Sequence, residues 1–206
     1  MTKILVIDSS PRGDQSISRQ VTKLVADKLK AEHSGATVTL RDLAAAPLPH
    51  LTENHINAYY TPVEARSEVL KNVIKESDAA VDELLAADVL VIGAPMWNFS
   101  IPSVLKSWID HVVRKGRTFN YGATGVEALV KGKKAIIVIS SGGLYSEGPM
   151  QAMDFDSTYL RSVLGFIGIT DVSFIRAEGI GMGEEATKAA LASAATQATE
   201  AVKKAA

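Results

Sequence analysis

Val89-Leu90-Val91-Ile92-Gly93-Ala94-Pro95-Met96-Trp97-Asn98-Phe99 is the stretch on which the fold turns. A continuous run of strand-forming apolar residues stops at Gly-Ala-Pro and passes into an aromatic, polar, aromatic triplet. A helix signal then begins at Ile101-Pro102. Strands that are apolar at every position, not only at alternate ones, are buried on both faces, as in a parallel sheet between two helical layers. Such sheets bind ligands just beyond the carboxyl ends of their strands. The triplet offers flat apolar faces and main-chain N–H groups but neither nucleophile nor general base, so it suits a planar ring that brings its own chemistry.

Outward from this stretch, apolar runs rich in Val and Ile recur at 3–8, 37–41, 88–94, 134–140 and 171–176. Helical patterns separate them. Ile17, Val21, Leu24, Val25 and Leu29 keep amphipathic spacing, as do Val104, Leu105, Trp108, Ile109 and Val112 after Pro102. Further helices are expected from Met153 to Gly168, over the alanine-rich tail Glu184–Ala206, and as one long or two shorter segments from about Val63. Pro47 and Pro49 mark a loop. Strand-helix alternation with five strands predicts an α/β fold: a single flavodoxin-like domain over 1–206 with a five-stranded parallel sheet of order 2-1-3-4-5 and helices on both faces.

The chain has 206 residues, 47% of them hydrophobic and 22% charged, which is globular composition. A formal net charge of −1 with scattered Lys and Arg gives no footprint for nucleic acid. The absence of cysteine removes disulfides, thiol nucleophiles and thiolate metal sites together. No apolar run has membrane-spanning length, and the first residues read as a strand, not a signal peptide. These features predict a cytoplasmic protein with neither membrane nor nucleic acid as partner.

Two further loops end at the same sheet edge. Ser9-Ser10-Pro11-Arg12-Gly13-Asp14-Gln15-Ser16-Ile17-Ser18 joins the first strand to the first helix, where free N–H groups and the helix dipole favour an anion. Ser10, Ser16 and Ser18 can add hydroxyl donors around a phosphate. Ser16 can equally be a plain helix cap, with the others in an ordinary polar turn. Ser140-Ser141-Gly142-Gly143-Leu144-Tyr145 closes the fourth run, and its paired glycines permit close approach to the backbone. A plain turn has the same composition, but three ligand-suited loops converging at one edge read as a seat for a flavin. No Gly-x-Gly-x-x-Gly follows the first strand, and Gly179-Ile180-Gly181-Met182-Gly183 is read as a loop. Hydrolase chemistry fails, because Ser140 and Ser141 have no nucleophile-elbow spacing and no histidine placed to serve them. His50 and His55 are too poorly spaced for a metal site, His111 reads as a surface or interface residue, and Asp154 and Asp156 as helix caps.

With these loops in hand, the chain resembles the FMN-dependent NADH-quinone oxidoreductase or azoreductase family of flavodoxin-like proteins. The resemblance spans essentially the whole sequence. It is most specific in Ala94 to Phe99, in Leu105-Lys106-Ser107-Trp108-Ile109-Asp110, in Ser140 to Gly143 with Gly148-Pro149, and in Leu164 to Ile169. It implies tightly bound FMN, with phosphate on Ser10, Ser16, Ile17 and Ser18. The ring would lie along Pro95, Met96, Trp97, Asn98 and Phe99, its far edge meeting Ser140, Ser141, Gly142 and Gly143, with Tyr145 beside it. Many relatives have tyrosine where this chain has Trp97, which keeps the flat face and puts substrate shape in question. The resemblance further implies NADH or NADPH as a transient electron donor, quinone and azo substrates meeting Phe99 and Tyr121, and a homodimer with the flavin at its interface. Trp108, Phe119 and Tyr121 are expected as exposed aromatics that build that interface. Flavin N5 would carry the chemistry by a ping-pong mechanism, and no side chain is assigned as catalytic. The alternative is a flavodoxin-like single-electron carrier, which usually presents an acidic docking face that this net charge does not suggest.

Overall fold

In a computed structural model, which describes every residue except Thr124 and Ala206, strands β1 (Lys3–Asp8), β2 (Thr37–Asp42) and β3 (Val89–Pro95) come first. A hairpin of β4 (Phe119–Gly122) and β5 (Gly125–Ala128) follows, then β6 (Lys134–Ser141) and β7 (Asp171–Glu178). Five of them form one sheet in the order β2-β1-β3-β6-β7, every neighbouring pair parallel. Counting sheet strands alone, this is the expected 2-1-3-4-5 order. The numbering shifts because the antiparallel β4–β5 hairpin, not anticipated from sequence, sits apart from the sheet.

The helices are α1 (Ile17–Glu32), α2 (Glu53–Tyr60), α3 (Glu68–Val73), α4 (Lys75–Ala86), α5 (Ser103–Val112), α6 (Phe155–Ile167) and α7 (Glu184–Ala205). The strand residues sort by the two-residue period. Leu5, Ile7, Leu90, Ile92, Ile137 and Ile139 face α4, α5 and α6. Ile4, Val6, Val89, Val91, Ile136 and Val138 face α1 and α7. Helix α7 presents Ala190, Ala194, Ala198, Ala201 and Ala205 as its buried residues, with Val202. So narrow a stripe lets this helix lie close to α1 and β7. The expected tail helix is present through Ala205, and Ala206 lies outside the described residues.

Several local expectations are corrected. Trp108 is 1% exposed, since it follows Leu105 by three residues and shares the core face of α5. Phe119 is also buried, folded under the hairpin with its ring 4.8 Å from that of Phe166. His111 is fully buried and donates from Nε2 to the Pro49 carbonyl at 2.8 Å. With the Ser107 hydroxyl donating to the same carbonyl, it latches the 48–49 loop onto α5. Helix α2 lies between the Pro47–Pro49 loop and the helices expected from about Val63, where no element is assigned from sequence. Its first turn is closed by the Thr52 N–H donating to His55 Nδ1 at 3.1 Å, and burial lowers the pKa of this histidine. Among the described residues no helix is long and apolar enough to cross a membrane, and no cluster of three or more metal-ligating side chains occurs.

Asp154 caps α6 as expected, accepting from the Ser157 N–H at 3.0 Å. Asp156 does not cap. It is completely buried, and neither carboxylate oxygen has a partner among the described residues. Burial, then the neighbouring Asp154, push its pKa up to about 7, with Arg176 opposing. A carboxyl group whose pKa rises on folding favours the folded state only while protonated, so the protein loses stability as pH climbs from the unfolded value towards 7. Asp156→Asn removes that loss. The variant is expected to exceed the parent by about 2 kcal/mol at pH 8, a gain of about 5 °C in Tm, with the difference shrinking towards pH 4. Thermal melts across that range check it, and a variant less stable than the parent at pH 8 contradicts it.

Candidate functional site

The loops following β1, β3 and β6 gather at the carboxyl edge of the sheet. Strand order puts the β3 loop between the other two. The first loop is fixed at its base by the buried Ser9 hydroxyl, which donates to the Gly93 carbonyl at 2.6 Å. A single helical turn, Gly13–Gln15, then leads into α1. Ser16 caps that helix, accepting from the Arg19 N–H at 3.3 Å, and its Oγ lies 3.0 Å from that of Ser18. Ile17 and Ser18 hold the first two N–H groups of α1, which have no acceptor among the described residues. Ser10 Oγ accepts from the Arg12 N–H, leaving its own proton free to donate.

The second loop is a two-residue turn. Trp97 and Ser100 exchange N–H to carbonyl bonds of 2.8 and 3.1 Å, and the residues between them have positive φ, 50° at Asn98 and 69° at Phe99. This is the mirror-image turn that asparagine accepts readily and phenylalanine does not. Strain of roughly 1–3 kcal/mol is held there by the surrounding contacts. The Met96 N–H ties the turn to the Ser140 carbonyl at 2.8 Å, and the Phe99 ring meets the Tyr145 ring edge-on, 6.2 Å between centroids. Trp97 remains 47% exposed.

The third loop is braced from behind. The carbonyls of Ser141, Gly142 and Gly143 accept from the N–H groups of Ile180, Gly181 and Gly179 at 3.0–3.2 Å. A Cβ at Gly181 would come within 3.1 Å of the Gly142 carbonyl oxygen, a tight approach that favours glycine. With the carbonyls engaged, the N–H groups of Gly142 and Gly143 donate to nothing among the described residues. Space beside Gly142, where a Cβ would sit, is open.

Together the loops bound a cleft of about 470 Å³. Of the residues expected from sequence, Ser10, Ser16, Ile17, Pro95, Met96, Trp97, Ser140 and Gly142 line it. Ser18 lies buried behind Ser16, and Ser141 turns its hydroxyl to the Gly143 carbonyl. Tyr145 and Gly143 stand behind the lining, the tyrosine ring packed over the glycine. Asn98 instead lines a neighbouring hollow of about 740 Å³ with Ile101, Lys106 and Tyr159, and Trp97 is the wall shared by both. Phe99 and Tyr121 line neither. Arg12, Gln15, Ile180, Gly181 and Thr187 also line the cleft and were missed. For Gly181 the signal was there, in the glycine-rich segment read as a mere loop.

The cleft therefore has hydroxyls and orphan helix N–H groups on its β1 side, an indole wall in the middle, and on its β6 side the free N–H of Gly142, with that of Gly143 behind it. That set fits a planar ring with a phosphate tail: anion donors for the phosphate, a flat apolar surface for the ring, and donors for an electron-rich edge.

A sequence family described as having a flavodoxin-like fold matches residues 2–202. A relative from Herminiimonas arsenicoxydans, called FMN-dependent NADH:quinone oxidoreductase, is 55% identical over 192 residues, covering 93% of this chain and 94% of its own. The crystal structure of an azoreductase from Bacillus anthracis strain Sterne has a TM-score of 0.88 at 29% identity, covering 100% of this chain and 99% of that one. An FMN-dependent NADH-azoreductase from Bacillus anthracis strain Ames Ancestor, solved in complex with FMN, has a TM-score of 0.89 at 25% identity and covers 99% of each chain.

Proposed function

Because the chain belongs to the flavodoxin-like fold family, we propose that it is an FMN-dependent NADH:quinone oxidoreductase whose cofactor occupies the cleft beside Trp97. The observation that carries this reading is the split donor set, with anion donors after β1 and free N–H groups after β6. Held there, FMN would supply two-electron chemistry between a nicotinamide donor and a quinone or azo acceptor, and one place used in turn by both would give ping-pong kinetics. The protein's part is to bind and orient. Ser10, Ser16 and the N–H groups of Ile17 and Ser18 hold the phosphate. Met96 and Trp97 support the ring. Gly142, backed by Gly143, would offer its free N–H to the edge that gains negative charge, a stabilisation that needs no reorganisation at the moment of transfer. No cleft side chain is required as acid or base, so protons come from solvent.

Tyr121 supports the homodimer in this reading. It stands 62% exposed on the hairpin, its ring edge-on to Phe119, and lines neither cavity of its own chain. A substrate role for Tyr121 therefore requires a second copy, with the flavin at the interface.

The deciding experiment is the visible spectrum of FMN-loaded, desalted protein before and after anaerobic NADH and then after a quinone. Retained flavin colour that bleaches with NADH and returns with quinone is expected. Retained flavin that NADH cannot bleach would make the protein a single-electron carrier, and no retained flavin would remove the cleft assignment. Gly142→Val provides a local check. The valine meets no protein atom where its Cβ emerges, so the variant is expected to fold normally and bind FMN about tenfold or more weakly. Normal flavin loading in that variant would contradict the contact.

A further inference from the structure

Arg19 lies outside the cleft, yet it holds both edges of the loop that lines the cleft's anion end. Its N–H donates to Ser16 Oγ at 3.3 Å, while Nε and Nη2 both donate to the Ser10 carbonyl at 3.0 and 2.8 Å. The rest of the guanidinium is gripped from behind by Asp42, with Nη1 and Nη2 bonded to its two oxygens at 2.7 and 2.6 Å. Asp42 is fixed in turn by the Ala44 and Ala45 N–H groups at 3.0 and 3.2 Å. Asp8, bonded to the Thr22 hydroxyl, stands 3.8 Å from Nη1. Asp42 is thus the cation's bonded partner, while Asp8, whose pKa burial pushes up, stands farther off.

The loop between the two serines has little else to fix it. Its other bonds are local, Arg12 N–H to Ser10 Oγ, Gln15 to Arg12 and Ser16 to Gly13, with the exposed Gln20 side chain donating to the Asp14 carbonyl. We propose that Arg19 is a positioning residue for the phosphate end of the flavin site. It fixes the separation of the Ser10 and Ser16 hydroxyls and so makes the chain prefer phosphorylated over unphosphorylated flavin. The inference rests on the FMN reading above. It requires the planar fork of arginine, because a lysine ammonium is a point donor that cannot span the Ser10 carbonyl and both oxygens of Asp42.

The test titrates apoprotein with FMN and with riboflavin, which lacks the phosphate, in the parent, Arg19→Lys, Arg19→Gln and Asp42→Asn. Inorganic phosphate is added in a parallel melting experiment. Both Arg19 variants are expected to bind FMN about tenfold or more weakly while riboflavin affinity stays within about twofold of the parent. The rise in apoprotein Tm caused by phosphate is expected to vanish with the FMN preference. Asp42→Asn loosens the guanidinium without touching Ser10 and is expected to shift FMN the same way by about threefold, which keeps the test standing should Arg19→Gln fail to fold. Parental FMN affinity in Arg19→Lys would overturn the inference in favour of simple charge. Equal losses for FMN and riboflavin would overturn it in favour of a general structural role. A parent that binds neither flavin, or both equally, would overturn the FMN reading itself, a pattern visible before any variant is made.

Discussion

Gly168→Ala is expected to destabilise the protein by about 4 kcal/mol, among the largest effects of any single substitution in this fold. Gly168 ends α6 with φ of 112°, its N–H accepted by the carbonyls of Leu164 and Gly165. Left-handed ends of this kind favour glycine, and alanine there is strained before any neighbour is considered. Here the neighbour decides. A Cβ would sit 2.2 Å from the Val130 carbonyl oxygen and 3.1 Å from the Ala128 Cβ. The oxygen belongs to a main chain already held by the Val130 N–H bond to the Ile167 carbonyl at 2.9 Å, so it cannot swing aside cheaply. Relief requires α6 to part from the segment leaving the hairpin, which disturbs the core around Val130 and Ile167. Gly165→Ala, three residues earlier inside the helix with open space around it, is the matched control and is expected to gain roughly 0.5–1 kcal/mol. Urea unfolding of the pair checks the argument, and a loss below about 1 kcal/mol at Gly168 would refute it.

Removing both hydroxyls in Ser16→Ala/Ser18→Ala is expected to weaken FMN by about 3 kcal/mol, more than a hundredfold, through the lost charge-assisted bond of Ser16 and the Ser18 bond that aims it. The geometry divides the roles. Ser16 lines the cleft, whereas Ser18 is buried with its Oγ on that of Ser16. If Ser18 donates to Ser16, the Ser16 proton is released towards the cleft, so Ser18→Ala alone is expected to have the smaller effect. Ser16 also caps α1, and its loss lowers the stability of the apoprotein by about 1 kcal/mol. Titrating the refolded apoprotein with FMN and melting it without FMN separates the two consequences. Unchanged FMN affinity in the double variant would remove the phosphate from this loop.

The sheet was legible because its strands are apolar at consecutive positions, and the strand order followed from five strands with helices between them. The hairpin was not legible, since four-residue strands of mixed character carry too little pattern to separate from a loop. The cleft was half legible. Ser10, Ser16, Met96, Trp97 and Gly142 announce themselves by residue type and position. The bracing by residues 179–181 runs through main-chain groups, and only the missing side chain at Gly181 marks it. Trp108 and His111 were misplaced because aromatic and imidazole chemistry was weighed above helical phase, although α5 puts both residues inward.

That bracing also sets an order of events during synthesis. When a growing chain has just passed Gly143, the loop after β6 exists, but β7, the 179–181 segment and Thr187 have not yet been made. Its glycine carbonyls have no partners until the last third of the chain is translated, which takes several seconds at ordinary rates. The third side of the cleft therefore takes its final form only after the first two. A chain stalled before residue 179 would hold the serines of the first loop and the Trp97 turn, but its third loop would lack the main-chain bonds that brace it.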